Sequence, residues 1–341
     1  MSIYEDIQER LTTISKHPLA VYQKNCYYSD FLRLIDVIIS EKITKKMRAQ
    51  IFNKLLLSSN KPFDLSKYLQ GVSEIVICHY FNTQNYVTEL EKKVNLFSNN
   101  KDVDLSVLYN NIWFNFEVKC PELQTVENSD LIINQGFRTA DKDAFRTKVT
   151  PVIESIANAN GCFSNFQTAK INDNKVCDYL KSCQEKFDYG SSINILVLSI
   201  PISEFTDYWN YLCNPWSGIL YPDASQRIIA PKELDKTDVV WITTFVDKHI
   251  VIKENHNAWS ISDALNILNL NPFSKKISED DSDSEKGLKA LLDIIPNETE
   301  RFDVYVAEYY DKLKNGELNK DSYGLMIPTY LDEYHKETYN P

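Results

Sequence analysis

The stretch Asp102 to Pro121, DVDLSVLYNNIWFNFEVKCP, constrains the fold more than any other part of the chain. Two runs of strand-forming residues flank Asn110-Asn111, and Asn tolerates the positive φ that a two-residue hairpin turn requires. Pairing outward from that turn sets Tyr109 opposite Ile112, Asp104 opposite Glu117 and Asp102 opposite Lys119. Side chains alternate between faces with period two. One face then carries Val103, Leu105, Val107, Tyr109, Ile112, Phe114, Phe116 and Val118, which is all apolar and predicts core. The other carries Asp102, Asp104, Ser106, Leu108, Trp113, Asn115, Glu117 and Lys119, and is expected to be the wet side of the ribbon.

Two carboxylates facing each other across a ladder have β-carbons about 5 Å apart and repel. A cation between them relieves that repulsion, and hard oxygen ligands suit Mg²⁺ or Mn²⁺. Lys119, one pleat beyond Glu117, is placed to hold a water or to stabilise developing charge. The bland alternative is a surface hairpin with an Asp102–Lys119 ion pair and two solvated acids.

The surrounding pattern is mixed. Apolar spacing predicts helices through residues 2–60, with Phe31, Leu34, Ile35, Ile38 and Ile39 on one stripe, and a break at Ser58 to Pro62. A further helix is expected over 67–81. Short β-rich runs follow at 94–97, 103–109, 112–119, 193–200 and 239–245, and a helical pattern at 140–160 lies between them. The fold expected is α/β (α+β): a central mixed β-sheet flanked by helices. The division expected is an N-terminal helical region at 1–62, a core domain at 63–270, an acidic loop at 271–287 and a helical C-terminal tail at 288–341. The polar run 278–287 reads as a mobile loop.

With 341 residues and 43% apolar content, the chain can fill a core. It holds no apolar run near the 20 residues a membrane helix needs, so no membrane association is expected. The N-terminus has neither a basic region nor an apolar stretch of the secretory type. Seven cysteines with no CxxC spacing predict reduced thiols and a cytoplasmic location. The net charge of −11 is uneven. Residues 1–100 carry 13 Lys+Arg against 10 Asp+Glu, whereas 201–341 carry 14 against 25. Nucleic-acid contacts are therefore expected in the N-terminal half, from Lys42, Lys45, Lys46 and Arg48 or from Arg138, Lys142, Arg146 and Lys148. Each set reads equally as a solvated helix face. His79, Cys120 and the tryptophans 209, 216 and 241 read first as structural residues. No glycine-rich phosphate loop occurs, which argues against a nucleotide-driven motor.

Glu74 in Gly71-Val72-Ser73-Glu74-Ile75-Val76 on a helix, Asp104 at the start of one strand, and Phe116-Glu117-Val118-Lys119 in the next resemble the PD-(D/E)XK nuclease superfamily. The resemblance covers roughly residues 67–200. It departs from the pattern where Val103, not Pro, precedes the Asp. It implies a restriction-endonuclease-like core and Mg²⁺-dependent endonucleolytic hydrolysis of phosphodiester bonds, with Mn²⁺ as a substitute. The substrate class implied is DNA, double-stranded first, in a restriction or other microbial defence enzyme that could work as a homodimer. By the same resemblance Asp104 and Glu117 ligate the metal, the Val118 carbonyl adds a ligand, Lys119 positions the attacking water, and Glu74 completes the acidic cluster. Two rivals remain open on sequence grounds. One is a nuclease-fold module that binds nucleic acid or protein without cleaving. The other is an unrelated helical–β interaction protein.

Overall fold

The computed structural model describes residues 3–39, 45–57, 63–94, 101–122, 151, 155, 172–215, 217–225, 227–253, 257–278, 282–318 and 324–339. The chain opens with helices α1 (Ile3–Thr13), α2 (Pro18–Val21), α3 (Cys26–Ile39) and α4 (Lys45–Lys54), followed by the long α5 (Leu65–Thr83). Three antiparallel strands follow, β1 (Val87–Lys92), β2 (Val103–Tyr109) and β3 (Ile112–Lys119). Helix α6 (Asn172–Lys186) leads to β4 (Ile193–Ser199), and α7 (Phe205–Cys213) precedes β5 (Val239–Thr243). The short α8 (Asp247–Ile250) and β6 (Asn266–Leu270) come next. Helices α9 (Lys275–Ser278), α10 (Ser282–Ile294), α11 (Thr299–Lys314) and α12 (Met326–Tyr339) complete the chain.

The six strands among the described residues lie in sequence order in one sheet. β3, β4 and β5 run parallel, and the outer pairs are antiparallel. The hairpin turn forms as its residues predict: Asn110 and Asn111 have φ of 50° and 62°. The ladder carries the expected register, from Tyr109↔Ile112 to Leu105↔Phe116. β4 (INILVLS) is buried at every position, as the centre of a sheet covered on both faces requires.

One face of the sheet packs on α1, α3, α4 and α5. Leu105, Val107, Phe116, Ile195 and Trp241 share a cluster there with Phe31, Leu55 and Val76. The N-terminal helices are thus continuous with the sheet's core. The opposite face packs on α6, α7, α11 and α12. Val176, Leu180, Cys183 and Phe187 of the α6 region, spaced as one helical stripe, meet Leu196 and Leu198 of β4. Phe302 of α11 sits edge-on against Phe205, Trp209 and Tyr330, with ring centroids 5.9, 5.8 and 4.9 Å away.

Three expectations need correction. The second face of the β2–β3 hairpin is not wet: Ser106, Asn115 and Glu117 are at most 1% exposed. α6 covers that face, and hydrogen bonds replace water: Ser106 Oγ donates to Asn115 Oδ1 (2.7 Å) and Asn115 Nδ2 to Asn194 Oδ1 (3.0 Å). Asp102 lies outside β2 and is not the partner of Lys119, which instead bonds Glu117. Finally, the acidic segment at 271–287 is not a loop throughout: α9 and the start of α10 fall within it. Leu288 and Leu291, three apart, dock α10 onto the sheet core, and Gly287 lets it approach Ile193. The helical pattern expected at 140–160, apart from positions 151 and 155, residues 95–97 of the strand expected at 94–97, and the basic set Arg138, Lys142, Arg146 and Lys148 lie outside the described residues; Val94 itself follows β1 and is not in a strand.

Candidate functional site

Two hydrophobic clusters meet around the end of β3, and the polar residues of the motif gather there. Strand alternation breaks at Asp104. Val103 belongs to the cluster under α6, whereas Leu105, two residues on, belongs to the cluster under α5. The neighbouring β1 bends at the same level: Leu90↔Leu105 and Lys92↔Val103 flank Glu91, whose φ is 51°. The antiparallel ladder with β3 ends at Leu105↔Phe116. Beyond it, Asp104 Oδ2 accepts the Val118 backbone N–H at 2.8 Å. The strand thus spends an acidic side chain where a backbone carbonyl would otherwise serve.

Glu117 is wholly buried, with no exposed side-chain surface. Its Oε1 accepts from Lys119 Nζ (2.6 Å) and Lys186 Nζ (2.6 Å), and Oε2 accepts from Lys186 Nζ (2.7 Å). Burial, and then the nearby Asp104 charge, push the Glu117 carboxyl up from its ordinary value; the two ammonium groups oppose that shift. Lys119 is held in its charged form: burial works against the ammonium, but Glu117 and then Asp104 outweigh it and raise its pKa.

Glu74 approaches from α5 on the other side. That helix is capped by Asp64, whose side chain accepts the Lys67 N–H. Glu74 is buried and pairs with the Lys54 ammonium of α4. Burial and then Asp104 push its carboxyl up as well, against the pull of Lys54 and Gln70. The charge of Asp104 therefore acts on both glutamates, one from each side of the sheet.

Gln70, one helical turn before Glu74, ties α5 to β3. Its Nε2 donates to Glu74 Oε1 (2.8 Å) and to the Val118 carbonyl (2.9 Å). Its Oε1 accepts the Cys120 N–H at 2.7 Å. The site thus holds three carboxylates (Glu74, Asp104, Glu117), one shared carbonyl (Val118) and three ammonium groups (Lys54, Lys119, Lys186).

All four motif residues named from the sequence meet in this region. Gln70, Lys54 and Lys186 were not foreseen. Gln70 had a signal, its i, i+4 spacing to Glu74 on one helix face. Lys54 and Lys186 had none, because tertiary packing alone brings α4 and α6 to the motif. Trp209 and Trp241 are core residues, and Trp216 lies outside the described residues. Burial raises the Cys120 thiol to about 12 and lowers His79 to about 4, so neither is charged at neutral pH. Arg48 is engaged by Asp6 at 2.5 Å, and the side chains of Lys42, Lys45 and Lys46 lie outside the described residues.

A cleft of about 500 Å³ lies elsewhere, lined by β6, α10 and α11 residues that include Leu268, Leu270, Leu288 and Asp303, and by none of the motif residues. Among the described residues no helix is long and apolar enough to cross a membrane. Likewise among the described residues, no group of three His, Cys, Asp or Glu side chains is arranged to hold a metal ion. Comparison with protein families, curated proteins and solved structures finds no match for this chain.

Proposed function

We propose that the chain is a divalent-metal-dependent phosphodiester hydrolase of the PD-(D/E)XK kind, acting on DNA. The observation that carries this reading is the hydrogen-bond network joining the motif residues: Gln70 bonds Glu74 and the Val118 carbonyl, Asp104 accepts the Val118 N–H, and Lys119 bonds Glu117. The element order supports it too: a helix bearing Glu74, three antiparallel strands bearing Asp104 and Glu117-x-Lys119, a helix, then a parallel strand.

The donor types are those of a hard divalent cation, but among the described residues they are not arranged as a group that holds one, and Lys54, Lys119 and Lys186 pair with Glu74 and Glu117. The carboxylates of Glu74, Asp104 and Glu117 and the Val118 carbonyl are all oxygen ligands of the type Mg²⁺ and Mn²⁺ take. The hydrolase reading therefore requires the ammonium groups to give up these oxygens before they could serve as ligands. The chain's own groups do the remainder. Lys119 keeps its proton and can donate a hydrogen bond to an attacking water or to a developing oxyanion. Gln70 fixes the direction of the Val118 carbonyl and of Glu74 Oε1. Asp104 braces the end of β3 through the Val118 N–H.

The test is cleavage of supercoiled plasmid, single-stranded DNA and RNA with Mg²⁺ or Mn²⁺. Wild type should cut plasmid DNA, and Asp104→Ala and Lys119→Ala should each lose at least 100-fold, the scale of one electrostatic catalytic group. Activity indifferent to both changes rejects the reading; cutting of RNA alone moves the substrate class.

A second reading has its own observation. Lys54 and Lys186 neutralise Glu74 and Glu117 from outside the motif. A charge-balanced cluster of this kind also suits a nuclease-fold module that binds without cleaving. Calorimetric titration with Mn²⁺ separates the two: nucleic-acid binding with no metal uptake favours the module.

A further inference from the structure

β6 lies at one border of the sheet, and its outer edge is closed only in part. The Thr244 N–H bonds the Leu265 carbonyl (3.1 Å) and the Asn271 N–H bonds the Asp238 carbonyl (2.9 Å), so the odd-numbered residues turn toward β5. The backbone groups of the alternate residues Asn266, Leu268 and Leu270 therefore face outward. The start of that edge is covered: the Asn266 carbonyl accepts the Glu298 N–H (3.0 Å), and the Leu268 N–H donates to Thr299 Oγ1 (2.9 Å). Further along, the Leu268 carbonyl and the Leu270 N–H have no hydrogen-bond partner among the described residues. Edge strands are normally blunted by Lys, Pro or a bulge. β6 (NILNL) has none of these, and its ladder with β5 is unbroken. Leu268 and Leu270 also line the cleft of about 500 Å³. On one face of β6 the cleft meets Leu288 and Leu291 of α10, and on the other Leu220. Leu270 and Leu292 are 52% and 46% exposed, so the cleft presents apolar surface to solvent.

We propose that the β6 edge is a docking site for an extended peptide segment of a partner protein, one that alternates apolar residues and carries a Lys or Arg. The segment adds a strand to the sheet: the Leu270 N–H donates to it, and the Leu268 carbonyl accepts from it. Its side chains alternate between the two walls, apolar ones entering beside Leu288, Leu291 and Leu292, and the others facing Leu220, Tyr221 and Asp303. Charge selects this occupant. Glu285 and Lys289 at the cleft neutralise each other at 2.6 Å. Asp303 has no such partner among the described residues, and no cation opposes the burial that pushes its carboxyl up. A cationic side chain on the added strand supplies that partner. A second copy docked β6 on β6 would instead bring two acidic surfaces together, since residues 201–341 carry 14 Lys+Arg against 25 Asp+Glu. The cleft contains none of the motif residues, so this docking stands apart from the hydrolase reading.

The test selects decapeptides from a random display library on the full chain, then measures the affinity of the most enriched sequence as a labelled synthetic peptide. Enriched sequences should alternate apolar residues and carry Lys or Arg. Leu270→Pro removes one hydrogen bond to the peptide and should weaken binding about 10-fold. Proline spares the native ladder there, because the Leu270 N–H faces away from β5. Should Leu270→Pro fail to fold, Leu292→Lys places a repelling charge on the exposed wall and carries the same expectation. Asp303→Lys should also weaken binding by about 10-fold. Enrichment of no alternating sequence overturns the inference, as does a peptide that binds Leu270→Pro, Leu292→Lys and Asp303→Lys as tightly as wild type. Sedimentation showing a wild-type dimer that Leu270→Pro abolishes also overturns it, by assigning the edge to a second copy. The plasmid-cleavage result stands or falls separately from each of these outcomes.

Discussion

The Lys186 ammonium touches both oxygens of the buried Glu117 carboxylate, at 2.6 and 2.7 Å, whereas Lys119 of the motif itself touches only one. Lys186 is thus the fuller counter-ion, supplied by α6 across the face that the hairpin pattern predicts to be wet. Breaking a buried pair by removing one partner is costly because a charge is stranded, while replacing both partners is far cheaper. Lys186→Met should therefore lower unfolding free energy by about 3 kcal/mol. The double variant Lys186→Met/Glu117→Leu should recover at least half of that loss. Urea midpoints of the four proteins form the cycle, and a double variant no more stable than Lys186→Met refutes the assignment.

Gly71→Ala probes the contact between α4 and α5. Its Cβ would overlap the Lys54 carbonyl oxygen and carbon, at 1.9 and 2.5 Å, and both are backbone atoms that cannot rotate aside. A solvent-exposed helix would gain from this change by about 1 kcal/mol. Here the overpacking reverses the sign, and a loss of about 3 kcal/mol is expected. A raised melting temperature would show that the two helices do not meet as described.

The protein should lose stability in mild acid through its buried histidines. His17 packs edge-on against Phe63 and Tyr68, its Nδ1 accepts the Leu19 N–H (3.2 Å), and its Nε2 lies 2.7 Å from the Leu55 carbonyl. Burial lowers its pKa from 6.5 to about 4, against the Leu55 hydrogen bond that favours the proton. The folded pKa is depressed, so its contribution is fully present above pH 6.5 and is lost as pH falls toward 4. At pH 5 that loss is about 2 kcal/mol. Glu74 and Glu117 titrate with the opposite sign, because their raised folded pKa values favour the native state as pH falls. The comparison is therefore made against a variant: the stability difference between pH 7 and pH 5 should shrink by about 2 kcal/mol in His17→Asn. An unchanged difference would place His17 outside the titrating set.

The C-terminal helices should prove integral to the fold. Phe302 is 1% exposed and stands edge-on between α7 and α12. Phe302→Ala should cost about 4 kcal/mol, typical of a large buried aromatic. Loss of the α11 and α12 amides' exchange protection before that of β4 would be expected in the variant. A loss of less than 1 kcal/mol would mark these helices as an appendage.

Local patterns carried much of the architecture. The paired asparagines, the alternating residues around them and the apolar run of β4 each specify geometry within a few residues, so hairpin, register and central strand were legible. The helix bearing Glu74 was legible from its spacing and runs somewhat longer than expected. The acidic run near 280 misled because composition was read without its neighbours: Leu288 and Leu291 continue a helix whose apolar side is completed only by the sheet.

What the amino-acid order determined by itself was the short-range part: a ribbon reversing at Asn110-Asn111 and the placing of Asp104, Glu117 and Lys119 near its far end. Tertiary structure alone decided what surrounds those groups. Lys54 and Lys186 lie 20 and 69 positions from the acids they neutralise, and α6 buries a face that alternation left polar. The physical reason is that strand and turn preferences act over two to four residues. Desolvation of a carboxylate, and the choice of its counter-ion, depend instead on which distant helix packs against it.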